Sequence, residues 1–178
     1  MSVERPGSFP LGPTGTIRAA YDELVRAVLA ACREHYGERL ISLAVFGSVG
    51  RGTPKPDSDV DLLIVAEPLP DGRRARVEEF DRVEGALKPR LTRMGERGLA
   101  PSLSPVFKTP AELRLGSPLL LDMTEDARLL HDRDGVLQAA LDRLRARLKE
   151  LGSRRIWLGS AWYWDLKPDY KPGEIFEL

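Results

Sequence analysis

Residues 44–65 read AVFGSVGRGTPKPDSDVDLLIV, and the order of residue types in this stretch decides the fold. Leu40 to Phe46 is almost wholly apolar and reads as a buried strand. Gly47 to Ser58 carries Gly47, Gly50, Gly52, Pro54 and Pro56, a density of Gly and Pro that predicts no regular element. Asp59 to Ala66 reads as a second buried strand that starts with two acids.

The acids carry the chemistry. Residues i and i+2 of a strand point to one face. Asp59 and Asp61 are therefore neighbours, their Cα atoms roughly 6–7 Å apart at about 3.3 Å per residue. Two carboxylates that close repel each other and raise each other's proton affinity unless a cation lies between them. Paired hard oxygens suit Mg²⁺ or Mn²⁺, which also bind phosphate oxygens. Val60, Leu62 and Ile64 point the other way and anchor the strand in the core. Gly47, at the end of the first strand, lets a ligand approach the backbone closely, and Ser48 adds a hydroxyl and an N–H. Arg51, between Gly50 and Gly52, is a candidate phosphate ligand because a guanidinium grips two oxygens at once. The run differs from the Rossmann loop G-x-G-x-x-G, and no Lys-Ser/Thr follows it as in a P-loop.

Outward from this core, Ile17, Ala20, Tyr21, Leu24, Val25, Val28, Leu29 and Cys32 fall on one face of a helix ending near Tyr36. Pro68 to Gly72 reads as a turn. Val77, Phe80, Val83, Leu87 and Leu91 mark a second helix, and Ser102 to Lys108 a third strand. Pro110 to about Thr124 reads as mostly helical, Ala127 to His131 as a short strand, and Val136 to Leu151 as a helix. The expected organisation is a loose leader over 1–15, a core over 16–125, and an extension over 126–178 packed on that core.

Composition narrows the function. The 178 residues carry 27 basic and 27 acidic side chains, so no global field draws the chain to nucleic acid or an anionic membrane. The longest clean apolar run, Leu62 to Ala66, is far short of the ~20 residues a bilayer needs, and no secretory signal is visible at the start. One cysteine, Cys32, excludes an internal disulfide framework and a Cys-rich zinc site. A cytosolic location is expected.

Phe46-Gly47-Ser48, ten residues, then Asp59-Val60-Asp61 resembles the motif of the nucleotidyltransferase superfamily that includes DNA polymerase β, and within it the minimal, MNT-type members. Arg51-Gly52 and Pro56-Asp57-Ser58 also resemble bacterial minimal members. The resemblance implies an α/β (α+β) fold, a small mixed sheet flanked by helices, with a C-terminal helical and aromatic extension. It implies that an NTP, ATP foremost, sits with its phosphates at Gly47 and Ser48, and that Asp59 and Asp61 act as catalytic residues holding Mg²⁺ or Mn²⁺. An acceptor hydroxyl, on a protein, an RNA end or a small molecule, would then displace pyrophosphate from the α-phosphate. Minimal members also serve as antitoxins paired with a helical (HEPN-type) toxin, which makes such a partner, or a role as a weak metal–NTP binder, the alternative. Active members often carry a third carboxylate on the next core strand. Ser102 to Lys108 has none; Glu112 and Asp122 lie on later elements.

Trp157, Trp162 and Trp164, with Tyr163 among them and Arg154-Arg155 before them, end the chain's informative features. The expectation is a tail that wraps the domain and buries its rings; a self-association surface giving a homo-oligomer is the first alternative, and nucleic-acid stacking the last, given the neutral net charge.

Overall fold

The computed structural model describes residues 14–178 apart from Ser160. Residues 1–13, most of the expected leader, lie outside the described residues.

The elements follow in the order α1 (Thr14–Tyr36), β1 (Leu40–Phe46), a helical turn α2 (Gly47–Gly50), β2 (Val60–Ala66), α3 (Arg73–Glu96), β3 (Leu103–Lys108), α4 (Pro110–Arg114), α5 (Pro118–Asp126), β4 (Arg128–Asp132), α6 (Val136–Glu150), β5 (Arg154–Leu158) and β6 (Ala161–Asp165). Four strands form a mixed sheet in the order β3-β2-β1-β4. β2 runs antiparallel to β1 and parallel to β3; β4 runs antiparallel to β1. The sheet thus takes its fourth strand from the C-terminal extension.

Both faces of the sheet are covered, which is why β1 and β2 are apolar at nearly every position. Leu43, Val45, Val60, Leu62 and Ile64 pack against Tyr21, Leu24 and Val28 of α1 and Phe80 and Val83 of α3. Ala44, Phe46, Leu63 and Val65 pack on the other side against Met123 of α5 and Leu137 and Leu141 of α6. The period of two then fixes the site: Asp61 shares its face with Leu63 and Val65, so it looks toward α5.

Four local expectations shift. The segment Gly47 to Ser58 opens with a turn of helix, closed by the Arg51 N–H donating to the Gly47 carbonyl at 3.0 Å. Gly47 makes it feasible, turning the chain through φ +65° straight out of β1. β2 begins at Val60 and β3 at Leu103, one residue later than the patterns predict. The helical stretch from Pro110 breaks in two, because Gly116 takes φ +77° and Pro118 starts a new helix. Thr109 caps the first piece through a reciprocal capping box with Glu112. The aromatic tail forms a β-hairpin, β5–β6, and Trp157 and Tyr163 remain about half exposed on it. A two-stranded ribbon has only one face to lay on the domain, so Tyr163, on the other face, looks outward, whereas Trp157 stays half exposed on the inward side.

Candidate active site

β1 and β2 deliver the two halves of the motif to one place, since their register pairs Phe46 with Asp61. Gly47 follows immediately and lies against the Asp61 carboxylate. A Cβ at Gly47 would overlap Asp61 Oδ2 and stand 3.3 Å from Cγ. The glycine therefore serves two demands, the left-handed backbone and the space taken by the acid. Gly50 is equally constrained, because a Cβ there would press on the backbone oxygens of Asp126 and Val45.

The loop from Thr53 to Ser58 is tied down from several sides. The Tyr21 hydroxyl donates to the Ser58 carbonyl at 2.9 Å, and the Lys55 N–H donates to Ser58 Oγ at 2.8 Å. Ser48 Oγ stands 3.1 Å from Ser58 Oγ, and the Thr53 N–H donates to the Ser48 carbonyl at 2.9 Å. Burial, with help from the Asp57 and Asp59 charges and against the Ser58 hydrogen bond, pushes the Tyr21 phenol up to about 12. It stays a neutral donor.

Asp59 is exposed at the mouth of β2 and accepts a hydrogen bond from Ser102 Oγ, at the entry to β3. Asp61 is half-buried. Desolvation, and next the neighbouring Asp59 charge, raise its proton affinity; Arg51 opposes them. The pair is thus under electrostatic stress in the bare protein, and a divalent cation would relieve it. The donors are hard oxygens, which fits Mg²⁺ or Mn²⁺. Among the described residues no cluster of three or more His, Cys, Asp or Glu is arranged for a metal.

A cleft of about 370 Å³ opens over these groups, lined by Gly47, Ser48, Arg51, Asp59 and Asp61 together with Asp122, Asp126 and Trp162. All five residues expected from the sequence meet here. Arg51 meets the site already engaged. Its guanidinium is ion-paired with Asp126 and stacks on the Trp162 ring, 5.0 Å from the centroid. Of the two later acids weighed from the sequence, Glu112 and Asp122, it is Asp122 that lines the cleft, and Asp126 is a residue that sequence reading misses. Asp122 and Asp126 stand four apart on α5, hence on one face of the helix, and both line the cleft together with Asp61. Asp122 Oδ1 accepts both the Trp162 and Trp164 indole N–H groups, at 2.7 and 3.0 Å. Asp126, 5% exposed, is shared by Arg51 and by Arg155 of β5 at 3.0 Å. Glu112, the other later acid, is taken by Arg76 of α3 in a two-pronged pair at 2.8 and 2.9 Å, outside the cleft lining.

The chain has relatives among known proteins. A family model described as "Nucleotidyltransferase domain" matches residues 25–111. A Methanocaldococcus jannaschii protein, provisionally named a protein adenylyltransferase, is 30% identical over 125 residues, which cover 69% of this chain and 80% of that one. The chain belongs to the nucleotidyltransferase family. As a nucleotidyltransferase it is a transferase enzyme, and the mixed sheet flanked by helices is the fold it shares with its relatives. The bifunctional uridylyltransferase/uridylyl-removing enzyme of Neisseria gonorrhoeae is 40% identical over 62 residues, 34% of this chain and 7% of that enzyme. A spectinomycin adenyltransferase from Enterococcus, solved with ATP and spectinomycin, aligns with a TM-score of 0.50 at 16% identity over 73% of this chain and 66% of its own. That likeness is one of fold. Among the described residues no helix is long and apolar enough to cross a membrane.

Proposed function

We propose that this nucleotidyltransferase moves AMP from ATP to an acceptor hydroxyl and releases pyrophosphate. The carrying observation is the contact of Gly47 with Asp61, which sets a backbone turn suited to phosphate oxygens beside two carboxylates suited to a divalent cation. The name of the archaeal relative favours adenylyl over other nucleotidyl groups. Gly47 and Ser48 bind the phosphates through backbone N–H and hydroxyl, and Arg51 turns from Asp126 to the triphosphate. Asp59 and Asp61 hold Mg²⁺ or Mn²⁺, which when bound would neutralise charge on the α-phosphate and the departing pyrophosphate. Asp122 takes the acceptor's proton. Its Oδ1 is committed to two indoles, and no hydrogen bond among the described residues engages Oδ2. The expected place of action is the cytosol.

The test is transfer of label from α-labelled ATP to an acceptor in cell lysate, with pyrophosphate measured alongside. Native protein should label a band and release pyrophosphate, and Asp59→Asn/Asp61→Asn should do neither. Equal release by the double variant would sink the assignment.

One observation favours a second reading, the antitoxin-like partner of a helical toxin. The outward face of the hairpin carries Leu158 and Tyr163, 67% and 50% exposed, on a two-stranded ribbon with open edges. Co-expression with any all-helical protein encoded beside this chain, followed by sizing, would show a stable complex if that reading holds.

A further inference from the structure

The period of two sorts the hairpin into faces. Register pairs Arg155 with Trp164 and Trp157 with Trp162, so these four share one side. That side turns to α5, where Arg155 meets Asp126 and the Trp162 and Trp164 indoles meet Asp122. Two guanidiniums from distant parts of the chain thereby converge on the same two groups. Asp126 is ion-paired with Arg51 and accepts from Arg155 Nη1 at 3.0 Å and Nη2 at 3.2 Å. The Trp162 ring carries both as well, Arg51 at 5.0 Å and Arg155 at 4.4 Å from its centroid. Of the two, Arg51 lines the transfer cleft, and Arg155 walls the neighbouring space beneath the hairpin.

We propose that Arg155 is a positioning residue for nucleotide binding: by holding Asp126, it allows Arg51 to leave that carboxylate for the triphosphate. The proposal rests on the reading of Arg51 as a triphosphate ligand. It gives the hairpin a part in the reaction that needs no contact between Arg155 and substrate.

Charge burial decides the matter. The Asp126 side chain is 5% exposed, and a carboxylate that deep is costly without a partner. Were Arg51 its sole partner, every binding of ATP would strand it, and the cost would weaken the affinity for ATP. Among the described residues Asp126 forms ion pairs with Arg51 and Arg155 alone. Arg155 reaches both carboxylate oxygens, Oδ1 with two nitrogens and Oδ2 with one at 3.2 Å. It therefore satisfies the carboxylate by itself, in the forked pairing that guanidinium and carboxylate favour. Its own place is fixed. It is 10% exposed, and its guanidinium lies over both Trp157 and Trp162, 4.9 and 4.4 Å from their centroids. Arg51 is the freer of the two, 28% exposed and on the cleft side. Its departure leaves the Trp162 ring covered by Arg155. Glu125, the other acid beside these arginines, is exposed, and among the described residues no ion pair joins it to either, so the exchange runs through Asp126. Linkage makes the effect mutual: if docked Arg155 raises the affinity for the triphosphate, bound triphosphate tightens β5 on α5 by the same factor.

The test is equilibrium dialysis with Mg²⁺ and an ATP analogue whose α,β-bridge cannot break, beside pyrophosphate release from Mg²⁺-ATP with a cell lysate as acceptor source. Arg155→Ala should weaken analogue binding about tenfold or more, raise KM for ATP, and keep kcat at saturating ATP within a few-fold. Arg155→Lys retains the charge and should bind the analogue within a few-fold of native protein. Asp126→Asn/Arg155→Ala should regain native affinity, because Arg51 then has no carboxylate to leave. That rescue separates the counter-charge from a purely structural part for Arg155, since a loosened hairpin would stay loose in the double variant. The analogue should also slow amide exchange across Arg154–Leu158 in native protein and not in Arg155→Ala. Native affinity in Arg155→Ala would overturn the proposal, as would a loss that Asp126→Asn leaves in place. Failure of the Arg51 reading shows separately, as analogue affinity unchanged by Arg51→Ala.

Discussion

Replacing Gly47 by alanine tests the site at its most constrained point. Two costs can be separated. The backbone stands at φ +65°, where an L-residue other than glycine pays about 1–2 kcal/mol. For a domain of this size that is a fall in Tm of roughly 2–8 °C. The second cost is steric and local. The new methyl overlaps Asp61 Oδ2 and reaches 3.3 Å from Cγ, so the carboxylate must move by about 1 Å to clear van der Waals contact. A displacement of that size in a catalytic group costs about a hundredfold in rate. Gly135 separates the two effects. It has φ +66°, and a Cβ there meets nothing within 4 Å. Gly135→Ala should lose as much Tm as the backbone share of Gly47→Ala and keep full activity. The assay is pyrophosphate release from Mg²⁺-ATP beside a thermal melt. Native-like rates in Gly47→Ala, or an equal loss of rate in Gly135→Ala, would refute the reasoning.

Asp61→Asn should abolish turnover, by at least about a hundredfold, and leave Tm unchanged or higher. Raised proton affinity in Asp61 means that its contribution to stability is fully present below the unfolded value of 3.8 and is lost as pH rises through its higher folded value; melts across pH with and without Mg²⁺ measure this. Asp126→Ala should be costly, about 3 kcal/mol or more, because it strands two guanidiniums against a buried position. Asp126→Ala/Arg155→Ala should recover part of that loss in chemical denaturation. Glu112 shows the opposite pH sign from Asp61. The hydrogen bonds from Arg76, and next the Thr109 N–H, lower its carboxyl from 4.5 to about 2. Its stabilisation is therefore present above about pH 4.5 and disappears as pH falls toward 2. Because Glu112 is more than a third exposed, Glu112→Gln should cost only about 1 kcal/mol at pH 7, with the two melts converging in acid.

The motif and the sheet's central strands were legible because short-range rules govern them. Alternation puts Asp59 and Asp61 on one face, and apolar runs bounded by Gly and Pro mark β1 and β2. Arg51 was legible as a member of the site, but its partner was not, since Asp126 lies 75 positions away and only the packing of α5 brings it near. The break between α4 and α5 was signalled by Gly116 and Pro118, which a reading weighted toward the apolar pattern passes over. Asp122 and Asp126 had a usable signal, a spacing of four on a helix otherwise carrying Leu120, Leu121 and Met123 into the core. Acids on a helix flank are usually solvated, so the signal gains meaning only once the helix is known to cross the acid end of β2. The hairpin was the least legible element. Its aromatics suit burial and display alike, and register alone decides which rings go where.

The fourth strand carries a consequence for handling the molecule. The family model ends at residue 111, yet β1 is completed on its outer side by β4, through Ser42 opposite Asp132 and Val45 opposite Arg128. A fragment cut before Arg128 would leave one edge of LISLAVF bare, seven residues, six of them apolar, with unpaired N–H and C=O groups and no charge or proline to deter a neighbour. Such a strand templates the addition of another copy of itself. Shortened to its family-matched segment, the domain should aggregate as it folds, and β4 is thereby the residue span that keeps β1 from becoming a seed.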